Sequence, residues 1–178
     1  MFLSKLKHIK AFVLDIDGVL TDATIHVTES GEQLRRFNVR DGYAMQLAVK
    51  KGYLLCVISG GKSESVILRL KGLGITDVHL GITNKLQIYN NFMLEHQLKA
   101  ENVIYMGDDI PDLPVMKIAG LKTCPADAVE EVKEISDYIS AKKGGEGCVR
   151  DIIEKVLKIQ DNWFDANLSG IDDSIPSA

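Results

Sequence analysis

No stretch of the chain stays apolar for the ~18 residues that a membrane-spanning helix needs, so a membrane protein is not expected. The opening "MFLSKLKHIK" is too short and too polar for a secretion signal, which makes a cytoplasmic protein the expectation. Basic residues are not in excess either. The formal net charge is -4, with no basic stripe to neutralise a phosphate backbone, which argues against nucleic acid as a partner. Cysteine is scarce: Cys56, Cys124 and Cys148 are odd in number, scattered and without CxxC spacing, which argues against disulfides and a thiolate zinc site. His8, His26, His79 and His96 form no ligand pair one helical turn apart. Internal repeats and interdomain linkers are missing too. A single domain over residues 1–160 is expected, followed by an acidic, small-residue tail at 161–178 expected to be flexible.

What the chain does contain is an alternation. Residues 10–16, "YLLCVIS" (53–59), "DVHL" (77–80), "NVIYMG" (102–107) and "GLKTC" (120–124) are short apolar runs bounded by Gly, Asp or Pro, and read as buried strands. Between them, residues 41–52, 62–74 and 84–98 have helical periodicity, and 148–159 closes the series. Strands alternating with helices of this length predict an α/β fold: a Rossmann-like parallel sheet with helices on both faces. Residues 23–39, "ATIHVTESGEQLRRFNV", break the pattern. They alternate around a polar "ESGE" turn and predict a β-hairpin inserted at about 22–39.

In parallel sheets, sites form at the carboxyl ends of the strands. Reading only those ends gives Asp15-Ile16-Asp17-Gly18, then Ser59-Gly60-Gly61, then Lys85 opening a helix, then Gly107-Asp108-Asp109-Ile110-Pro111-Asp112. So many carboxylates on one edge would repel one another by several kcal/mol at reduced dielectric. A hard divalent cation with oxygen ligands removes that conflict, and Mg²⁺ combined with a substrate phosphate suits it. Lys85 adds a fixed positive charge. The Ser59 hydroxyl and the N–H groups of the following turn suit a phosphate. "GGKS" (60–63) is not the end of a P-loop, because that motif would need glycine where Cys56 stands.

These four motifs, in this order, resemble those of the haloacid dehalogenase superfamily of phosphotransferases. "FNVRDGYAM" (37–45) and "GGEGCVRD" (144–151) are similar to its cap-less branch acting on 3-deoxy-D-manno-octulosonate 8-phosphate. The resemblance covers about residues 7–158. It implies a phosphatase of a sugar-acid phosphate in lipopolysaccharide precursor synthesis, with Asp15 as nucleophile and Asp17 as general acid and base. It further implies Mg²⁺ held by Asp15, the Asp17 carbonyl and Asp108, and phosphoryl oxygens bound by Ser59 and Lys85. Asp109 and Asp112 would orient metal-bound waters or Lys85. Substrate contacts carried over by position are Asp17, Asn38, Val39, Arg40, Asp41, Gly42, Gln46, Gly60, Gly61, Arg69 and Lys85. The chain departs at Gly61 and Glu146, where arginine is common in the family, and a nine-carbon ulosonate 9-phosphate is the natural competing substrate.

The intervals 18–58 and 60–84 are too short for a separate lid domain, yet water must be kept from the reacting centre. The hairpin is the one spare element, and a hairpin alone is marginal. It is expected to pack against copies from other subunits, and the resemblance implies a homotetramer whose hairpins contribute to neighbouring sites. A phosphoacceptor signalling domain is the alternative from another class, but its acceptor Asp lies mid-chain and its Lys late, the reverse of the order here.

Overall fold

The computed structural model describes residues 2–163. A short helix α1 (Phe2–Lys5) precedes the first strand, β1 (Ala11–Leu14). The chain then forms a two-stranded antiparallel hairpin, β2 (His26–Val27) and β3 (Gln33–Leu34), before helix α2 (Val39–Lys50). From there strands and helices alternate: β4 (Leu54–Ile58), α3 (Glu64–Gly72), β5 (Asp77–His79), α4 (Lys85–Glu95), β6 (Val103–Met106), α5 (Leu113–Met116), β7 (Leu121–Cys124) and α6 (Glu130–Ile135). A short edge strand β8 (Tyr138–Ile139) and the helix α7 (Cys148–Ile159) complete the described chain.

The main sheet has the order β5-β4-β1-β6-β7-β8, and every pairing in it is parallel. β1 is central, and all four of its residues are buried, as a strand covered on both faces requires. The two-residue side-chain period splits it cleanly. Phe12 and Leu14 enter a core with Ala44, Met45 and Ala48 of α2, Val66 and Leu70 of α3, and Ile152, Ile153, Val156 and Leu157 of α7. Ala11 and Val13 enter the opposite core with Tyr89 and Phe92 of α4, Val115 and Met116 of α5, and Val132 of α6. α7 presents its buried residues as one stripe, and each such side chain is worth about 1.5–3 kcal/mol of transfer free energy. The helix is therefore held by packing.

The five strands and the hairpin expected from the sequence are present, and no lid domain is inserted among the described residues. β8 was not expected. It is two residues long and only half-buried at Tyr138, too short to show a period. Trp163 docks: its ring meets Tyr43 edge-on at 6.2 Å, with the Arg150 guanidinium 5.0 Å from its centroid. The remainder of the expected tail lies outside the described residues.

Candidate active site

The three central strands deliver the acidic and hydroxyl groups. Asp15 directly follows β1, Ser59 directly follows β4 and Asp108 lies two residues beyond β6, all at the carboxyl edge. Lys85 comes from the first turn of α4, whose N-terminus is capped by the Asn84 side chain accepting from Gln87 N–H.

Lys85 is the hub. Its Nζ lies 2.9 Å from Asp15 Oδ1 and 2.7 Å from Asp112 Oδ1, and all three side chains are buried. Burial works against the ammonium charge, but the two carboxylates outweigh it and hold the Lys85 pKa above its ordinary value. Asp112 has its oxygens committed elsewhere. Oδ1 also accepts from the Tyr105 hydroxyl at 2.6 Å, and Oδ2 accepts the backbone N–H groups of Asp108 and Asp109 at 3.0 and 3.4 Å. It fixes the lysine and the loop after β6 together. Asp109 is exposed and caps the next turn, its Oδ1 accepting Ile110 N–H at 2.7 Å.

One oxygen from each of Asp15, Asp108 and Asp112 falls within 4.8 Å of the others. Burial raises the Asp15 pKa to about 7, helped by Asp112 and opposed by Lys85. Burial also raises Asp108 to about 8, with repulsion from Asp15, Asp112 and Asp109 adding to it. Asp108 Oδ1 is buried without a hydrogen-bond partner. An all-oxygen set with an unclaimed buried carboxylate oxygen fits a hard cation such as Mg²⁺, with Asp15 and Asp108 as ligands and Asp112 already occupied.

Gly18 explains how Asp108 reaches Asp15. Its φ is 93°, and a Cβ there would lie 1.9 Å from Asp108 Oδ2. Gly18→Ala is expected to destabilise the protein by at least about 2 kcal/mol in urea unfolding, through the left-handed backbone and the displaced carboxylate together. An unchanged midpoint would show that the Asp108 carboxylate is not confined there.

Ser59 is buried, and its Oγ accepts Gly61 N–H at 3.2 Å, which shapes the exposed Gly60 turn. Asp17 is part-exposed and paired with Arg35: Nε donates to Oδ1 at 2.7 Å and Nη2 to Oδ2 at 3.3 Å. Sequence reasoning missed Arg35. The only available signal was that it lies on the return run of the one element outside the α/β alternation.

The structure thus brings together Asp15, Asp17, Ser59, Gly61, Lys85, Asp108 and Asp112. The expected sugar contacts sit differently. Asn38 caps α2, accepting from Arg40 N–H at 2.8 Å, and its Nδ2 donates to Gly145 O at 3.2 Å, tying the hairpin exit to the glycine loop. Val39 is exposed, and Gln46 is half-buried on α2. Arg40 opens on a groove shared with Lys142, Glu146, Arg150 and Lys158. Asp41 is turned inward, where its Oδ1 accepts Arg150 N–H at 2.6 Å in the first turn of α7. Its side chain is fully buried and does not reach the acidic cluster, because the first turn of α2 packs against α7. Burial raises its pKa to about 6 against those N–H bonds. The Arg69 guanidinium lies over Gly42, where a Cβ would meet Nη2 at 2.7 Å.

Comparison with known proteins gives a consistent picture. A family model described as haloacid dehalogenase-like hydrolase matches residues 71–152. The chain is 37% identical over 158 residues to 3-deoxy-D-manno-octulosonate 8-phosphate phosphatase of Escherichia coli K12, covering 89% of this chain and 84% of that protein. Among solved structures, the enzyme of the same name from Moraxella catarrhalis, in complex with magnesium ion, phosphate ion and 3-deoxy-D-manno-octulosonate (KDO), superposes with a TM-score of 0.87. It is 35% identical, with 90% of this chain and 92% of that chain covered. A cobalt-bound deoxy-D-mannose-octulosonate 8-phosphate phosphatase from Haemophilus influenzae gives a TM-score of 0.86 at 33% identity, covering 92% and 97%.

Proposed function

Because the chain belongs to the haloacid dehalogenase-like hydrolases and is a phosphoric monoester hydrolase, we propose that it hydrolyses 3-deoxy-D-manno-octulosonate 8-phosphate, with Mg²⁺, through an aspartyl phosphate on Asp15. The observation that carries this reading is the buried Lys85 bridging Asp15 and Asp112 at the sheet edge, beside the unclaimed oxygen of Asp108.

Asp15 is the group positioned to attack phosphorus. Lys85 orients one of its oxygens, and the other forms the bond to phosphorus as the ester bond to the sugar oxygen breaks. Asp17 gives a proton to that departing oxygen, then takes one from the water that attacks the aspartyl phosphate. Lys85, the Ser59 hydroxyl and the N–H groups of the Gly60–Gly61 turn hold the three transferring oxygens, whose charge is greatest in the loose transition state. Asp112 keeps the ammonium in place so that it need not reorganise. Mg²⁺, which Asp15, the Asp17 carbonyl and Asp108 would hold, would supply positive charge that offsets the carboxylates and the phosphoryl oxygens.

In the same reading the free sugar acid feeds lipopolysaccharide precursor synthesis. No helix among the described residues is long and apolar enough to cross a membrane. Gly61 and Glu146 are the two departures from the family pattern that the sequence resemblance brought out, and they make the nine-carbon ulosonate 9-phosphate the competing substrate in this reading. Phosphate release from both esters and from simple sugar phosphates, with and without Mg²⁺, separates the two. A kcat/KM at least tenfold higher for the eight-carbon ester is expected. Preference for the nine-carbon ester would keep the chemistry and move the substrate.

Exposed apolar residues on the hairpin support assembly through it. Ile25, Val27 and Leu34 are 40%, 68% and 52% exposed, on an element with little core of its own. Homotetramers are expected in sedimentation, with Val27→Asp/Leu34→Asp shifting them to smaller species of at least tenfold lower activity. A fully active wild-type monomer would overturn this.

A further inference from the structure

Arg35 is the residue whose chemistry is least accounted for. It follows β3, whose Gln33 and Leu34 are exposed, as is Arg36 after it, yet its own side chain is only 4% exposed. The guanidinium grips both oxygens of Asp17, but Nη1 is buried with no hydrogen-bond partner. An unmet buried donor costs about 1–3 kcal/mol, more on a charged group, so the arrangement is complete only when an acceptor arrives.

The surroundings indicate which acceptor. A Cβ on Gly61 would lie 3.0 Å from Arg35 Nη2, 3.2 Å from Asp17 Oδ2 and 3.6 Å from Ser59 Oγ. The Nη2 edge of the guanidinium therefore lies against the space left open because residue 61 has no side chain, and the unpartnered Nη1 is on the same planar group. That space is walled by Asp17, Ser59, Gly61 and Ser63 on its polar side and by the apolar Ile16, Val66 and Leu80. A planar fork with free N–H groups suits oxyanions, and no carboxylate of this chain other than Asp17 pairs with it among the described residues.

We propose that Arg35 binds an anionic oxygen of the substrate through Nη1. The anion is either the phosphoryl group or the sugar-acid carboxylate, both of which offer oxyanions of the required kind. The inference rests on the phosphatase reading and deepens it. It also gives the hairpin a chemical task within its own protomer.

Arg35→Gln and Arg35→Lys test it, using wild-type Mg²⁺-loaded enzyme as reference and thermal unfolding as the folding control. Three quantities are read: kinetics on the eight-carbon ulosonate phosphate, kinetics on p-nitrophenyl phosphate, and competitive inhibition by inorganic phosphate. If Nη1 binds the phosphoryl group, Arg35→Gln raises KM for both esters and Ki for phosphate by about tenfold or more, and Arg35→Lys falls between. If it binds the carboxylate, only KM for the ulosonate ester rises and Ki is unchanged. Either result supports the inference. A fall in kcat on both esters with KM and Ki unchanged would mean that Arg35 only positions Asp17, and would overturn it, as would no change at all. A wild type that turns over none of the esters overturns the phosphatase reading itself, and this inference with it.

Discussion

Replacing Asp15 with asparagine should lower phosphate release by about 10⁴-fold or more while leaving the protein folded. Asparagine keeps the volume and one oxygen for Lys85, which also retains its 2.7 Å contact to Asp112. What it removes is the nucleophilic carboxylate. The same change takes a costly charge out of the interior, since burial pushes the Asp15 pKa to about 7. The melting temperature of the metal-free variant should equal or exceed that of the wild type. Phosphate release and thermal unfolding, measured on the same preparations, check both halves. Residual activity above a few per cent in a well-folded variant would remove Asp15 from the role given to it.

Asp108→Asn should have two effects of opposite sign. Activity is expected to fall by about 10²-fold or more, because an amide oxygen is a poorer ligand for Mg²⁺ than a carboxylate. Metal-free stability is expected to rise, and the pH dependence shows why. Asp108 is raised from 3.8 to about 8 in the fold, so between those values the native state binds more protons than the unfolded one. The stability linked to this group is complete at low pH and is lost as pH rises through about 8, where the carboxylate must ionise beside Asp15 and Asp112. Asparagine avoids that loss. At pH 8 without metal the variant should be more stable by on the order of 1–3 kcal/mol, discounted for the part-exposed position, and the difference should vanish near pH 4. Added Mg²⁺ should stabilise the wild type and not the variant. Urea unfolding at pH 4.5 and 8, with and without Mg²⁺, reads all of this. A variant less stable than wild type at pH 8 without metal would contradict the electrostatic account.

The parts of this site visible in the sequence are those that one strand or helix fixes by itself. Asp15, Ser59 and Asp108 each follow an apolar run, and Lys85 opens a helix, so the parallel sheet alone puts them on one edge. The β2–β3 hairpin was legible from its alternation around a polar turn. The parts that stayed hidden need two or three elements to meet. Asp112 was expected to orient metal-bound waters or Lys85, and it does pair with Lys85 at 2.7 Å; what stayed hidden is Tyr105 of β6, whose hydroxyl donates to the same carboxylate oxygen. Asp41 was read as a sugar contact, and the structure adds what its sequence position did not show: its Oδ1 accepts Arg150 N–H at the start of α7. Which way a first-turn side chain faces depends on the helix packed against it. Arg35 was invisible because its neighbours on the strand are exposed and only its own side chain folds back onto Asp17.

The central claim is that Asp15 attacks phosphorus and carries the phosphoryl group. Rapid acid quench of Mg²⁺-loaded enzyme turning over phosphorus-32-labelled 3-deoxy-D-manno-octulosonate 8-phosphate, followed by peptide mapping, tests it directly. The account predicts a transient acid-stable label on the peptide containing Asp15, removed by hydroxylamine and never formed in Asp15→Asn. Full turnover with no labelled peptide at any quench time, or label on another residue, would contradict it.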